Sequence, residues 1–404
     1  MGKHRLEVAD VFRSHGEEYL SSYPTSFEQR RVLRNLTLCR TASLGGHKAK
    51  CDLCGHEEIS YNSCRDRHCP KCQGKATAEW YEARSKDLLD VEYFHVVFTL
   101  PEKIGPLALQ NKRCVYSILF RAVSETLLEI ARDPKHLGAE IGFLCTLHTW
   151  AQNLLHHPHI HCVVPGGGLS PDHRGWVSCP SGFLLPVRVL SRLLRGKFLA
   201  FLNKAYRKGE LELFGKLKGL TDADQWSRFL SSLKKTEWNV YAKPPFTRPE
   251  ETLKYLARYT HRVAISNRRL LSLENGKVTF RFKDYRNENR YRTMTLDAVE
   301  FIRRFLLHVL PKGFMRIRQY GFLANRVRVK KLGLCRELLG KAKECDTVSS
   351  GDSADVKERR AAEKPSDRGT CPACRKGRMV PLEKIPPHRG CLQECPFTIA
   401  LDTS

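Results

Sequence analysis

The sequence predicts an α+β protein flanked by Cys-rich modules that fold around metal. Three observations carry that prediction. Apolar residues recur at helical spacing in long segments, and short strand-like runs such as YFHVVFTLP (93–101) and IGFLCTLHTW (141–150) fall between them. Two Cys-x-x-Cys pairs, Cys51–Cys54 and Cys69–Cys72, stand fourteen residues apart in a stretch too polar to fold by apolar burial. The run HPHIHCVVPGG (157–167) sets histidines at strand spacing just before a buried, β-branched stretch.

The elements follow in order. VADVFRSHGEEYL and FEQRRVLRNLTLC predict two helices within residues 5–40, and KATAEWYEARSKDLLD predicts another over 75–90. A strand at 93–101 is stopped by Pro101, and CVYSILFRAVSETLLEIAR (114–132) reads as an amphipathic helix. Strands over 141–150 and 158–167 come next, then a mostly helical insertion over about 183–240. PEETLKYLARYTHR (249–262) begins with a proline and two acids, as a helix N-terminus does. Strands near 263–272, 277–284 and 290–295 are predicted after it, with Asn275-Gly276 as a hairpin turn and a helix over 296–309. Residues 341–370 contain no aromatic and little aliphatic side chain, so they read as a linker. The resulting organisation is 1–90, helical and metal-binding; 91–335, the main domain; 336–370, the linker; and 371–404, a small Cys-rich tail.

Charge narrows the function. The chain of 404 residues carries 69 Lys+Arg against 43 Asp+Glu, a net of +26, which points to a polyanionic partner, with nucleic acid as the default. Residues 251–330 hold 19 basic and 6 acidic side chains, half of the whole excess. There RFKDYRNENRYR (281–292) and FMRIRQYGF (314–322) interleave aromatics with arginines, the pattern of a surface that pairs with phosphates and stacks on bases. Lys254, Arg258, His261, Arg262, Arg268, Arg269, Lys283 and Arg286 are the expected DNA contacts. The first twenty residues have no apolar signal core, and no apolar run approaches the roughly 20 residues of a membrane span. A cytoplasmic chain with reduced thiols is therefore expected, without membrane contact, and its clustered cysteines read as ligands.

The thiol spacing predicts one structural Zn²⁺ held by Cys51, Cys54, Cys69 and Cys72. Cys39, His47, Cys64 and His68 lie close by and leave room for a second ion, chiefly through Cys64 and His68. In the tail, Cys371, Cys374, Cys391 and Cys395 space as a candidate zinc ribbon, with His388 able to replace one ligand. Cys114, Cys145 and Cys162 read as core. On the histidine strand, His159 and His161 share a face and form half of a site for a divalent cation, Mg²⁺ or Mn²⁺ in a nuclease. His157, His148 and Gln152 are the candidates for the third ligand, with His95 a weaker one. Tyr255 and Tyr259 lie four apart on one helical face among cationic side chains, placed to attack phosphorus if a metal polarises the phosphate.

Together HPHIHCVVPGGG, FHVVFTLPE, NSCRDRHCPKCQ, YLARYTHRVAISN and GFMRIRQYGFLAN resemble the two-tyrosine transposases of the insertion sequence 91 type, over about residues 5–335. These belong to the wider group of His-hydrophobic-His (HUH) single-strand endonucleases. The resemblance implies a zinc-binding domain ahead of an endonuclease core with a central antiparallel sheet flanked by helices. It implies a bacterial, nucleoid-associated enzyme that nicks and rejoins single-stranded DNA at element ends and target in rolling-circle transposition. By the same resemblance His159 and His161 bind the metal, and Tyr255 and Tyr259 are the nucleophiles. Two other readings share the residues: a rolling-circle replication initiator, and a non-catalytic zinc-dependent nucleic-acid-binding protein.

Overall fold

A computed structural model describes residues 5–246, 262–284, 290–347 and 369–388. The predicted helix at 249–262 lies outside the described residues except for Arg262.

The fold is α+β, built on a five-stranded antiparallel sheet. Its strands are β3 (Tyr93–Thr99), β4 (Gly142–Trp150), β5 (His156–Pro165), β8 (Val240–Phe246) and β12 (Ile317–Gly321), in the order β12-β4-β5-β3-β8. The histidine strand β5 is thus central. Alternation sorts its faces: Phe94, Val96, Phe98, Phe143, Cys145, Leu147, Ile160 and Cys162 enter the main core. Two 21-residue helices, α5 (Lys112–Arg132) and α6 (Val187–Arg207), supply the rest of that core. Cys145 and Cys162 are core residues, as expected; Cys114 is partly buried at the edge of the same core. On the opposite face Tyr93, Leu144 and Val163 form a small apolar cluster under Trp80 and Leu88, and the histidines lie beyond it.

A second core joins the N-terminal helices to residues 264–309. Helices α1 (Val8–Ser22) and α2 (Phe27–Leu38) pack on helix α8 (Ala298–Leu307) and on the small sheet of β9 (Leu270–Glu274), β10 (Lys277–Asp284) and β11 (Arg290–Asp297). Phe12 meets Phe305 edge-on at 5.3 Å, and Val278 and Phe280 point inward from β10. The N-terminal helices therefore share their apolar burial with residues 264–309. Ser26 and Gln29 form a reciprocal capping box, and Gln29 Nε2 also donates to Leu306 O, which fixes α2 against α8.

Elsewhere the structure refines the predicted elements. The stretch 263–272 is not one strand; only Leu270–Glu274 pairs, after a short 3₁₀ turn at Asn267–Arg269. Helix Arg328–Thr347 carries into the segment assigned to the linker, because Leu332 and Cys335 are buried against Leu89, Leu169 and Phe322. The Cys-rich stretch contains two strands, β1 (Gly46–Cys51) and β2 (Glu57–Tyr61), and the tail adds a third, β13 (Met379–Ile385), in the order β13-β1-β2. Among the described residues, no helix is long and apolar enough to cross a membrane.

Candidate metal and nucleic-acid site

β4 and β5 form a hairpin whose antiparallel register sets His148 opposite His159 and Thr146 opposite His161. All three histidines project from the face opposite the main core. One ring nitrogen from each of His148, His159 and His161 lies within 4.8 Å of the others. The third imidazole is thus His148. His157 is exposed and contributes its backbone instead: its carbonyl accepts from His159 Nδ1 at 2.7 Å. Gln152 sits in the hairpin turn, where its carbonyl accepts from the Arg269 guanidinium.

His95 on β3 is the residue whose part the sequence understated. It lies diagonally across from His161, and its Nε2 is 2.8 Å from His161 Nδ1, the two rings stacked at 5.0 Å between centroids. The Nδ1 atoms of His159 and His161 are both engaged in hydrogen bonds, so Nε2 is the nitrogen each would offer a cation. His148 is stacked on Trp150 at 4.7 Å, and Trp150 belongs to the second core.

Burial favours the neutral form of His95, His159 and His161. It pushes His95 and His159 down to about 3, and His161 well below its ordinary value. The Arg262 guanidinium adds a smaller push in the same direction on His159 and His161. Neutral imidazoles are the form that binds a cation.

The turn at 151–155 holds the hairpin in register. Leu154 adopts φ of 64°, a left-handed conformation that costs a branched residue about 1 kcal/mol or more. It is held there by complete burial, by His308 Nε2 at 3.0 Å from its carbonyl, and by Asn153 Oδ1 accepting from Leu155 N.

The thiols sort differently from the predicted cage. Cys69 and Cys72 join Cys39 and Cys64 in one cluster, and Cys51 and Cys54 join Cys371 and Cys374 in another. The two Cys-x-x-Cys pairs of the N-terminal region therefore do not share an ion. Cys64 completes the first cluster rather than founding a second with His68, which is buried beside it; His47 belongs to neither cluster. Cys371 and Cys374 find their partners in the N-terminal module; Cys391 and Cys395 lie outside the described residues. Helix geometry explains the first cluster. Cys39 caps the C-terminus of α2, and Cys69 caps the N-terminus of α3 (Pro70–Ser85), with Pro70 in its first turn. Hydrogen bonds from Cys64 and then Cys69 hold the Cys39 thiol far below its usual value.

The basic segment divides into structural and surface parts. Arg269 is half-buried and helps hold the hairpin turn: Nε donates to Arg281 O at 2.7 Å and the guanidinium also donates to the Gln152 carbonyl. Arg316 is buried and donates to Gln73 Oε1 at 2.9 Å, and Arg67 binds the carbonyls of Leu310, Pro311 and Phe314. The aromatics divide too: Phe314 is core and Tyr320 stacks on Phe143 at 5.4 Å, so neither is a platform for bases. Arg268, Arg290, Arg292 and Tyr291 are exposed, the last three on the edge strand β11. Lys283 faces Tyr291 across the ladder. Lys254, Tyr255, Arg258, Tyr259, His261 and Arg286 lie outside the described residues.

Comparisons with known proteins agree with this architecture. Residues 11–100 match a family described as "Transposase zinc-binding domain", and residues 142–331 match one described as "Putative transposase". The chain is 55% identical over 386 residues to "Putative transposase y4qJ" of Sinorhizobium fredii, covering 95% of this chain and 96% of that protein. It is 31% identical over 304 residues to the "Transposase for insertion sequence element IS801" of Pseudomonas savastanoi pv. phaseolicola, covering 73% and 70% respectively.

Proposed function

The chain belongs to the insertion sequence 91 family of transposases, and from that premise we propose that it is an HUH endonuclease that nicks and rejoins single-stranded DNA through 5′-phosphotyrosine esters in rolling-circle transposition. The observation that carries the reading is the convergence of His148, His159 and His161 on one face of a central strand pair. Three imidazoles fit a divalent cation, and a bound Mg²⁺ or Mn²⁺ would polarise the scissile phosphate.

Tyr255 and Tyr259 enter as nucleophiles through the family resemblance. The phenolic oxygen of one attacks phosphorus, the bond to the 3′ oxygen breaks, and that oxygen leaves as a hydroxyl after gaining a proton. The 5′ end stays on the tyrosine as a phosphodiester, so a later 3′-hydroxyl can displace the phenol without an external energy source. The exposed basic edge at Arg290 and Arg292, with Lys283 and Arg268, supplies phosphate contacts along a single strand. The test is incubation of labelled single-stranded element ends with the protein and Mg²⁺ or Mn²⁺, scored for a covalent adduct. The parent is expected to capture the 5′ side of the nick, and Tyr255→Phe/Tyr259→Phe is expected to bind the DNA without capturing it. Equal capture by parent and double variant sinks the nucleophile assignment, and a parent that binds but never cleaves leaves a zinc-dependent binding protein.

His95 acts in this scheme as a positioning residue. With His161 Nε2 turned to the cation, Nδ1 carries the proton and donates it to His95 Nε2. Loss of such an outer partner typically weakens metal affinity by about 10–100-fold. His95→Leu should raise the Mn²⁺ concentration for half-maximal cleavage by about that factor, and His95→Gln, whose amide oxygen still accepts, should recover part of it. An unchanged Mn²⁺ requirement in His95→Leu removes the role.

A further inference from the structure

The second thiol cluster lies outside the two matched families at one end and joins segments more than three hundred residues apart in the chain. We propose that Cys51, Cys54, Cys371 and Cys374 hold a structural Zn²⁺ that staples the segment around 371–385 onto the N-terminal module, giving one zinc domain built from segments before and after the main sheet.

The geometry is that of a thiolate tetrahedron. A Zn–S bond of about 2.3 Å places sulfurs about 3.8 Å apart along the edges of a regular tetrahedron. Cys51 Sγ and Cys374 Sγ are 3.7 Å apart, and Cys54 Sγ and Cys371 Sγ are 3.6 Å apart. A disulfide needs about 2.05 Å. Each pair forms its own knuckle, with amides turned toward sulfur: Leu53 N and Cys54 N approach Cys51 Sγ at 3.4 and 3.5 Å, and Gly377 N approaches Cys374 Sγ at 3.3 Å. Such donors stabilise the thiolate form that zinc requires.

Backbone pairing continues the join. β13 runs antiparallel to β1 from Gly46–Ile385 to Cys51–Met379, and Asp52 and Arg378 extend it through Asp52 N to Arg378 O at 3.0 Å and Arg378 N to Asp52 Oδ1 at 2.8 Å. Gly377 is required at the seam: a Cβ there would stand 2.5 Å from Cys51 Sγ and 2.7 Å from Asp52 Oδ1.

Apolar burial does not hold this sheet. Every residue of β2 is exposed, as are the five interior residues of β13. A small three-stranded sheet with so little apolar surface buried needs another source of stability, and four converging thiols are the one at hand. This site is independent of the cleavage chemistry, so it stands or falls separately from it.

Zinc counting by mass spectrometry under native conditions tests it on the full chain. The parent should hold two ions, Cys371→Ser/Cys374→Ser one, and Cys391→Ser/Cys395→Ser still two. A specific protease site introduced within residues 350–362 adds a physical readout. After cutting, the C-terminal fragment should co-elute with the rest of the chain on gel filtration, and should separate when Cys371 and Cys374 are serine. Two ions retained in Cys371→Ser/Cys374→Ser, an ion lost from Cys391→Ser/Cys395→Ser, or immediate release of the fragment from the otherwise unaltered chain overturns the proposal.

Discussion

On the proposed function, His161→Ala is expected to abolish cleavage of single-stranded terminal DNA, lowering the rate by at least about a thousandfold, equivalent to roughly 4 kcal/mol of barrier. His161 is the hub of the cluster: its ring lies 4.5 Å from that of His148, 4.8 Å from that of His159 and 5.0 Å from that of His95. Removing it would delete one of the three proposed ligands and the hydrogen bond between His161 and His95, leaving two imidazoles for a cation that needs fixed geometry to act. The same donor set predicts a metal preference. Imidazole nitrogens suit Mn²⁺ better than Mg²⁺, which keeps oxygen ligands and water, so Mn²⁺ should support cleavage at lower concentration. His156→Gln is the matched control. His156 lies on the same strand but turns the other way, with Nε2 2.8 Å from Tyr116 Oη, and its loss should leave cleavage within a few-fold of the parent. Undiminished cleavage by His161→Ala in either metal removes the histidine strand from the mechanism.

How much of this was legible in the sequence depends on the range of the interaction. Alternation within one strand is local, so HPHIHC was enough to place His159 and His161 on one face. The third imidazole was not legible, because it depends on where the hairpin turns. With the turn centred near residue 153, the register sets His148 against His159. A different turn would have brought another residue into place, and the turn actually used depends on a left-handed Leu154 that local preferences do not favour. His95 is one step further away, since its approach to His161 needs the pairing of β3 with β5.

The thiols show the same limit. Each Cys-x-x-Cys is a local half-cage, and nothing in its spacing says which other half completes it. Proximity along the chain favoured Cys51–Cys54 with Cys69–Cys72. The fold instead joined the second pair to Cys39, at the end of α2, and Cys64, while β13 brought Cys371 and Cys374 to the first pair. The aromatic–arginine stretches misled for a related reason. Phe314 and Tyr320 face inward, and only burial, which spacing does not reveal, distinguishes them from exposed Tyr291.

Cys72→Ser is expected to release the buried zinc and to destabilise the fold around it. Cys72 Sγ lies 3.6 Å from both Cys39 Sγ and Cys64 Sγ, and Cys39, Cys69 and Cys72 all line the second core. That core also contains Val32, Leu36, Phe305, Trp150 and Leu154, so the ion supports the helices, the hairpin turn and the ring on which His148 stacks. Structural zinc sites contribute about 10–16 kcal/mol of apparent binding in isolated fingers. Even a fraction of that, about 4 kcal/mol, lowers the melting temperature of a unit this size by roughly 10 °C. Cys374→Ser, in the exposed sheet, should lower it by no more than about 3 °C, because the second core does not include that cluster. The two variants therefore separate a zinc that supports the catalytic sheet from one that fastens a peripheral segment. Thermal unfolding read beside zinc content decides between them. Cys72→Ser that keeps both ions and melts with the parent would show that apolar packing alone holds the N-terminal helices, and that the buried thiols are not an ion's cage.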